Sequence, residues 1–346
     1  MKHVIIASDS WKGCLTSKEV AQAVELSLRE YDKDVLIDKL YVSDGGEGFA
    51  ECVVESMNGE WQTVSCHDAL NRPIEAQYGI VRGGWAVMDV ASTIGLTMIA
   101  EGERDVWKGT SRGVGEMIRS IVESGIRRVI IGLGGSATND CGRDMMEELE
   151  GTDGLDDCEF IIASDVTNPL CGPNGATYSF APQKGAAADL LPLLEERNHN
   201  YALSLEKKYN TSIIDRAGSG AAGGIGAALM TMKHHKFVSG IDWMMDLYGF
   251  DDLLLECNLV ITGEGKIDSQ TMQGKVPYGI AMRAKRHGVN CIALCGKNET
   301  DAEKSADIWQ KIIEVSPPHL ALSEAMKPQT AFDNIRISMK DYLSNL

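Results

Sequence analysis

Three short apolar segments of this chain each end in Ser-Asp: HVIIASD (3–9), YVSD (41–44) and FIIASD (160–165). Runs of this length, rich in β-branched residues, are typical of parallel strands that are buried on both faces. The two IIASD copies lead into unrelated sequences, so we interpret them as two similar strand ends and not as an internal duplication. Because α/β proteins place ligands at the carboxyl ends of parallel strands, Asp9, Asp44 and Asp165 predict a metal or phosphoryl-transfer site. The alternative is that each Asp caps the following helix, which we consider less favoured for three strand ends than for one.

Strands and helices alternate at both ends of the chain, whereas the middle follows another pattern. The ends predict strands at 3–7, 35–42, 259–262, 291–295 and 312–315, and Thr16-x-x-Glu19 predicts a capping box at the start of the first helix. The middle predicts a hairpin, 77–81 with 86–91, around Gly83-Gly84, and buried strands at 128–133 and 159–163. We therefore predict an α/β fold with two domains. Residues 1–64 plus 257–346 form a discontinuous Rossmann-like parallel-sheet domain, and residues 65–256 form an inserted mixed α/β domain.

Composition excludes several functional classes. The formal net charge of −17 argues against binding to nucleic acid or to an anionic membrane, since both favour basic surfaces. Nine cysteines without a C-x-x-C pair indicate a reduced protein and argue against a zinc site. The chain starts without a signal-peptide pattern and has no apolar run of membrane-spanning length. We expect a cytoplasmic protein, and the sequence makes no prediction of its oligomeric state.

Two glycine-rich loops are candidates for ligand binding. The segment 218–223 (GSGAAG) matches G-x-G-x-x-G, but no clear strand precedes the acidic residue that a dinucleotide site would need, Asp242. The loop can still bind a phosphate at the start of the following helix, or its glycines can serve only close packing. The segment 134–140 (GGSATND) places two hydroxyls, an amide and a carboxylate in one turn, a density that is costly to bury without a ligand. P-loop and H-E-x-x-H motifs are absent from the sequence.

The chain resembles the type I glycerate kinases over nearly its whole length. The resemblance is carried, in order, by SDSWKG (8–13), DGGEG (44–48), GGSATND (134–140), SDVTNPLCGPNGA (164–176), PQKG (182–185), AGSGAAGGIGAAL (217–229) and LVITGEGKIDSQTMQGK (259–275). It implies two α/β domains with the active site between them, and phosphorylation of D-glycerate by ATP with Mg²⁺, commonly to 2-phosphoglycerate, with 3-phosphoglycerate as the other product. This chain departs from the family pattern in two places. Ser8 replaces the usual proline of the first loop, and a short acidic bridge (145–159) replaces a segment of several tens of residues.

The resemblance also implies roles for individual residues. Asp140 or Asp165 is expected near the glycerate hydroxyl, with Lys184 and Lys12 as the cations that offset transition-state charge. We expect replacement of Lys184 to leave folding little changed. The remaining expected roles are glycerate binding by Asp9, Ser10, Asp44, Arg72, Ser136 and Asn139; nucleotide binding by Gly218, Gly220, Gly223, Gly224, Glu264 and Lys275, with Asp268 beside them; and Mg²⁺ binding by Asp44, Asp165 and Glu264. For Arg72 an ordinary surface salt bridge is an equal alternative.

Two other functions stay open at this point. An NAD-dependent oxidoreductase of a small hydroxy acid would explain the glycine-rich loops, although the strand context is poor. A non-catalytic ligand-binding protein on a kinase scaffold would explain the fold, although the Asp, Lys and Gly motifs are intact.

Overall fold

The computed structural model describes residues 2–345, including all their side chains except those of Gln273, Ala302 and Lys304. In chain order the strands are β1 (His3–Ser8), β2 (Leu36–Lys39), β3 (Glu60–His67), β4 (Pro73–Val81), β5 (Trp85–Asp89), β6 (Arg128–Gly132), β7 (Glu159–Ala163), β8 (His234–Val238), β9 (Leu259–Ile267), β10 (Asn290–Asn298) and β11 (Lys311–Glu314). The α-helices are α1 (Ser17–Tyr31), α2 (Phe49–Met57), α3 (Ala91–Ile94), α4 (Arg112–Glu123), α5 (Arg143–Leu149), α6 (Ala176–Phe180), α7 (Leu191–Tyr209), α8 (Ile225–Leu229), α9 (Gly240–Tyr248), α10 (Phe250–Leu254), α11 (Val276–Arg286), α12 (Ala302–Ala306), α13 (Leu322–Ala325) and α14 (Pro328–Ser344). None of the helices in residues 2–345 combines the length and apolar character needed to cross a bilayer.

The chain divides into two compact units. Unit 1 consists of Met1–Asp44 and Ile241–Leu346, and unit 2 consists of Gly45–Gly240. The predicted domain boundaries lie at 64/65 and 256/257. At both junctions they are later in the sequence than the boundaries of the two units. The first junction differs because α2 packs on β4 and β5 and because β3 pairs with β4, so residues 45–64 belong to the inserted unit. The general arrangement, an inserted unit between two segments of a parallel-sheet unit, agrees with the prediction.

Unit 1 is built on a parallel sheet with the strand order β11-β10-β9-β1-β2. Counted within the unit, this is the order 2-1-3-4-5 of flavodoxin-like doubly wound sheets, read from the other edge. The strand order reverses between β1 and β9, which pair in register with Ser8 opposite Gly263. In open α/β sheets the crevice at such a reversal is the usual place for a ligand.

The start of α1 shows how local sequence fixes the loop after β1. Thr16 and Glu19 form the predicted capping box: the Glu19 N–H donates to Thr16 Oγ1 at 3.2 Å, and the Thr16 N–H donates to Glu19 Oε2 at 2.8 Å. Ser17 Oγ donates to the Ser8 carbonyl oxygen at 2.6 Å, which joins the helix to the end of β1. The helix therefore begins at a fixed place, and the residues between Ser8 and Thr16 form a loop at the sheet edge.

Unit 2 contains a mixed sheet with the order β3-β4-β5-β6-β7-β8. The predicted hairpin is confirmed as antiparallel β4 and β5, and the predicted buried strands are confirmed as parallel β6 and β7. The sequence analysis missed β3 and β8, which are the two edges of this sheet. Their residues are mostly exposed or half-buried, so the apolar run that marks a central strand is absent.

The short acidic bridge connects α5 to β7 without disturbing the sheet. Helix α5 ends at Leu149, Gly151 and Gly154 adopt positive φ angles of 76° and 82°, and β7 begins at Glu159. Glu159 already pairs in register with Arg128 of β6. The chain thus returns to the sheet within these few residues.

Candidate active site

The three Ser-Asp segments do not serve as helix caps, and the prediction that Asp44 directly follows a strand is wrong, because β2 ends at Lys39. The helices that follow them begin at Ser17, Phe49 and Ala176, and their N-cap residues are Thr16, Gly48 and Gly175. Because none of these caps is one of the three aspartates, the capping alternative is wrong for Asp9, Asp44 and Asp165. The prediction that Asp9 and Asp165 follow parallel strands is confirmed, by β1 and β7 respectively.

A cavity of about 700 Å³ lies in unit 1 at the carboxyl ends of β1, β9, β10 and β11. We call it the unit 1 pocket. It includes the point where the strand order reverses, so its position matches the rule for open α/β sheets. The structure brings together here a large share of the predicted site residues: Asp9, Ser10, Lys12, Asp44, Glu264, Asp268 and Lys275.

Asp9 is held at the floor of the unit 1 pocket by the backbone. Its N–H donates to the Gly263 carbonyl oxygen at 2.9 Å, and its Oδ1 accepts from the Ser10 N–H at 2.8 Å. Its relative exposure is 3%. Burial, and then the negative charge of Asp44, raise the pKa of the Asp9 carboxyl well above its usual range, although Lys12 opposes this shift. The carboxylate therefore lacks enough positive charge in its surroundings.

Glu264 presents the same electrostatic situation on the neighbouring strand β9. Its side chain accepts a hydrogen bond from Thr271 Oγ1. Burial raises the pKa of Glu264 to about 7, while the hydrogen bond from Thr271 and the charge of Lys275 oppose the rise. Asp268 fixes the following turn, because its Oδ1 accepts from the Gln270 N–H at 2.8 Å. The strand end thus delivers a second buried carboxylate to the pocket.

The predicted Mg²⁺ ligands are divided between the two units. Asp44 and Glu264 line the unit 1 pocket, whereas Asp165 belongs to unit 2. In the part of the chain that the structure describes, no group of three or more His, Cys, Asp or Glu side chains is arranged to hold a metal ion. Mg²⁺ in phosphoryl-transfer sites commonly takes one or two protein carboxylates and completes its shell with phosphate oxygens and water. The raised pKa values of Asp9 and Glu264 fit a cation of that kind.

A second polar cluster lies in unit 2 around Lys184, which is 4% exposed. Lys184 Nζ donates to Ser136 Oγ at 3.0 Å and to the Thr138 carbonyl oxygen at 2.7 Å. Burial lowers the pKa of Lys184 to about 7, although the charge of Asp140 acts in the opposite direction. The prediction placed a cation here, and the structure shows a buried amine without a carboxylate hydrogen-bonded to its Nζ among the described residues.

The GGSATND loop carries unpaired polar atoms beside Lys184. Thr138 Oγ1 and Asn139 Oδ1 are buried and have no hydrogen-bond partner among residues 2–345. The Asn139 amide nitrogen donates to Thr177 Oγ1 at 3.2 Å, which fixes the side chain. Buried unpaired polar atoms cost free energy and are typical of a place that a ligand completes. We call Ser136, Thr138, Asn139 and Lys184 the Lys184 cluster.

Asp140 is engaged by the protein itself. Its Oδ2 accepts from the Ser111 N–H at 3.0 Å and from Ser111 Oγ at 2.6 Å, and its Oδ1 accepts from the Gly142 N–H at 3.2 Å. Burial raises the pKa of Asp140, and these hydrogen bonds oppose the shift. Such contacts tie the GGSATND loop to the start of α4. Of the two candidates for the residue near the hydroxyl, Asp165 is the partly exposed one.

The sequence analysis did not identify Asp89, which organises the DGGEG segment. Asp89 ends β5 and accepts from the Gly48 N–H at 3.1 Å and the Ala50 N–H at 2.9 Å, at the start of α2. Burial raises its pKa to about 8. An apolar strand ending in Asp, here VMD at 87–89, is the same signal that marked the other three strand ends.

The glycine-rich loop at 218–224 is packed inside unit 2. A Cβ at Gly220 would lie 2.3 Å from the Pro169 carbonyl oxygen, and one at Gly223 would lie 2.0 Å from the Thr138 carbonyl oxygen. The Gly220 N–H donates to the Asn168 carbonyl oxygen at 3.0 Å. These contacts support the packing interpretation, because the backbone is close to other chain segments and this N–H is already used. Helix α8 after the loop has only 5 residues.

Arg72 forms the surface salt bridge that the sequence left as an alternative. Its Nε lies 2.6 Å from Asp68 Oδ2, and its side chain is 44% exposed. A weaker contact joins the guanidinium to Glu103 at 3.4 Å. The guanidinium is therefore already paired with carboxylates of unit 2.

Comparisons with known proteins agree with the resemblance. The glycerate kinase family model matches residues 4–154 and 150–341, and the two ranges meet in the acidic bridge. The chain is 36% identical over 328 residues to the glycerate kinase of Bacillus subtilis (strain 168) and 37% identical over 327 residues to the glycerate 2-kinase of Escherichia coli (strain K12), covering 86% of each chain in both cases. A crystal structure of a protein assigned as glycerate kinase 2 from Salmonella typhimurium LT2 superposes with a TM-score of 0.82 at 34% identity, covering 99% of this chain and 98% of that one. The chain belongs to the glycerate kinase family.

Proposed function

We propose that this protein transfers the γ-phosphoryl group of ATP to the 2-hydroxyl of D-glycerate, giving ADP and 2-phosphoglycerate. Family membership supports the reaction class, and the E. coli relative, named glycerate 2-kinase, supports the choice of hydroxyl. The observation in the molecule that carries the proposal is the unit 1 pocket. It combines buried carboxylates with Lys12 and Lys275 at the point where the strand order reverses.

Mg²⁺ is the cation that we propose for the unit 1 pocket. One or two of the carboxylates Asp9, Asp44 and Glu264 would hold it together with phosphate oxygens and water, because all three line one cavity and because the pKa values of Asp9 and Glu264 are raised by burial and by Asp44. When bound with the nucleotide, Mg²⁺ neutralises phosphate charge and orients the phosphates. Lys12 and Lys275 would add positive charge from the same pocket.

The Lys184 cluster has the groups needed for an anionic part of the reaction. Phosphoryl transfer depends mainly on positioning and on stabilisation of charge. Lys184 would donate to an oxygen of glycerate or of the transferred phosphoryl group, the Thr138 hydroxyl would donate to the same anion, and the unpaired Asn139 Oδ1 would accept from a glycerate hydroxyl. In the transfer step the 2-hydroxyl oxygen bonds to the γ-phosphorus, the bond from that phosphorus to the β-phosphate oxygen breaks with its electron pair left on ADP, and the hydroxyl proton is released to solvent water. Asp165, rather than Asp140, would orient the hydroxyl, because Asp165 is partly exposed whereas Asp140 is buried in the GGSATND loop.

Product analysis tests this proposal directly. Purified protein is incubated with D-glycerate, ATP and MgCl₂, and the product is identified by ³¹P and ¹H NMR. We expect 2-phosphoglycerate, with no ATP consumption when glycerate or the metal is omitted. Formation of 3-phosphoglycerate would overturn the choice of hydroxyl, and absence of glycerate-dependent turnover would overturn the function. NAD-dependent oxidation of a hydroxy acid would instead support the oxidoreductase alternative.

A further inference from the structure

The unit 1 pocket has an apolar wall that the transfer chemistry does not use. It is formed by the segment between β11 and α14 and consists of Pro317, Pro318, Leu320, Leu322, Ala325 and Met326. Leu322 is 73% exposed and Met326 is 40% exposed. Apolar side chains gathered at the mouth of a cavity are typical of a site that buries part of a ligand.

The charged side chains of the pocket lie toward the strand ends. Lys12 and Lys275 act electrostatically on the buried carboxylates Asp9 and Glu264, respectively. The other two lysines of the lining form ion pairs with glutamates: Lys266 with Glu299 at 2.8 Å and Lys297 with Glu314 at 3.3 Å. The pocket therefore has a polar floor for phosphates and metal and a separate apolar wall.

The size of the cavity supports a ligand larger than glycerate. A volume of about 700 Å³ lies within the range of about 300–1,000 Å³ that is usual for drug-sized ligands and cofactors. Glycerate has only three carbons, and it has no apolar face that would match two prolines and two leucines. A nucleotide has both a flat, weakly polar base and a polyphosphate.

A buried donor beside the floor also lacks a partner. Trp11 lines the pocket and is 4% exposed, and its indole Nε1–H has no acceptor among residues 2–345. Buried indole N–H groups usually find an acceptor. An oxygen of a bound ligand would supply it, which makes Trp11 a second and independent indication of occupancy.

We infer that the apolar wall at 317–326 binds the base and ribose of a nucleoside triphosphate whose phosphates extend toward Lys12 and Lys275. This assignment rests on the proposed kinase function for the identity of the ligand. It places the whole nucleotide in unit 1, and it replaces the glycine-rich loop at 218–224 as the expected nucleotide contact. The wall, and not the phosphate contacts, would then distinguish a nucleotide from a bare polyphosphate.

Isothermal titration calorimetry on the full chain, with Mg²⁺ and without glycerate, tests the inference. The variant is L320S/L322S, and the matched control is L255S, which alters a leucine of unit 1 that is 75% exposed and does not line the pocket. The ligands are ADP and inorganic tripolyphosphate, which has the charge but no base. We expect L320S/L322S to raise the Kd of ADP at least about tenfold, to leave the Kd of tripolyphosphate unchanged, and to have a wild-type melting temperature. M326S should show a smaller effect in the same direction.

The outcomes separate this inference from the proposed function. Equal binding of ADP by L320S/L322S, M326S and wild type would overturn the apolar wall as the base site, even if the protein phosphorylates glycerate. Binding of ADP no tighter than tripolyphosphate to the wild type would overturn it as well. ADP binding that is lost in L320S/L322S would support it even if glycerate proves not to be the acceptor. In that variant the KM for ATP should rise while the KM for glycerate stays near its wild-type value.

Discussion

The unit 1 pocket and the Lys184 cluster of unit 2 bury charges of opposite sign. In the pocket, burial raises the pKa values of Asp9 and Glu264. In the cluster, burial lowers the pKa of Lys184 to about 7. In both places the protein favours the neutral form of a side chain, because the surroundings supply too little opposite charge.

This difference indicates what each region binds. The carboxylates of the pocket are stabilised in their charged form by a cation, and a metal–nucleotide complex provides one. The amine of Lys184 is stabilised in its charged form by an anion, and a phosphoryl group or a carboxylate provides one. A kinase that transfers phosphoryl to a hydroxy acid requires both kinds of site, so the two regions can be tested separately by removing one charge at a time.

Replacement of Lys184 should have the largest effect on turnover. If its ammonium offsets charge on the transferred phosphoryl group, Lys184→Ala should lower kcat by roughly 10²–10³-fold, as does loss of one preorganised donor in other enzymes. The measurement is steady-state kinetics with saturating ATP and glycerate. Normal kcat in a folded variant would mean that the amine serves only the hydrogen bonds to Ser136 and Thr138.

Neutral replacements in the unit 1 pocket should have the next largest effect. Asp9→Asn and Glu264→Gln keep the size of each side chain and remove its charge, so each should lower kcat/KM at least roughly tenfold, about 1.4 kcal/mol of transition-state stabilisation. Melting temperature should not fall, because the variants relieve buried charges that repel each other. Titration with MgCl₂ should show a weaker apparent affinity for Mg²⁺. Wild-type kinetics in both variants would contradict a cation site in the pocket.

Asp140 and Asp165 should respond in opposite ways to the same substitution. Asp140→Asn disturbs hydrogen bonds from Ser111 and Gly142, and hydrogen bonds to a charged group contribute about 1.5–3 kcal/mol. We expect a lower free energy of unfolding for Asp140→Asn in urea denaturation. Asp165→Asn should instead lower kcat/KM roughly tenfold with little change in stability. A catalytic loss in Asp140→Asn at wild-type stability would restore Asp140 as the residue near the hydroxyl.

The sequence predicted the positions of the strand-end carboxylates better than the roles of the glycines and of Lys184. A short apolar run ending in Asp carries its own local signal, so the sequence placed Asp9 and Asp165 correctly at the ends of parallel strands. That the two carboxylates contribute to one site stays a prediction. The loop at 218–224 has the composition of a phosphate loop, but only the carbonyls of Asn168, Pro169 and Thr138, distant in sequence, show that it is packed.

For Lys184 too, the sequence alone did not show which distant segments surround the residue. The expectation that its replacement would leave folding unaffected rested on lysine being rarely buried, whereas contacts from the loop at 134–140 bury it here. The family resemblance identified the residue, and only the fold shows its environment. Kinetics of Lys184→Ala therefore need a parallel stability measurement, with Lys184→Met as the variant that keeps most of the side-chain volume.

The lowered pKa of Lys184 predicts how the free energy of unfolding depends on pH. The unfolded chain has the ordinary lysine pKa of 10.5 and stays protonated at pH 7–9, whereas the folded form, with a pKa of about 7, loses the proton over that range. Because the unfolded state then binds more protons, this group makes the free energy of unfolding rise with pH by up to about 1.4 kcal/mol per pH unit. Urea denaturation at pH 7 and pH 9 should show a larger rise, by about 2 kcal/mol, in wild type than in Lys184→Met. The comparison between the two proteins removes the opposing contribution of Asp89, whose raised pKa of about 8 favours the folded state at low pH. An equal pH response in both would mean that the amine is charged in the folded protein.

Arg72 should give the smallest effect, although the sequence placed it among the glycerate-binding residues. Its guanidinium is 44% exposed and already lies 2.6 Å from Asp68 Oδ2, so it differs from Lys184, which is buried and pairs with no carboxylate in the described contacts. Exposed ion pairs contribute about 0–1 kcal/mol. We expect Arg72→Ala to leave the free energy of unfolding near its wild-type value and to change the KM for glycerate by less than about twofold. A KM for glycerate that rises tenfold or more, with kcat and the KM for ATP unchanged, would show that Arg72 leaves Asp68 to bind the substrate carboxylate. The anion site of unit 2 would then extend from the Lys184 cluster to the surface turn at Asp68.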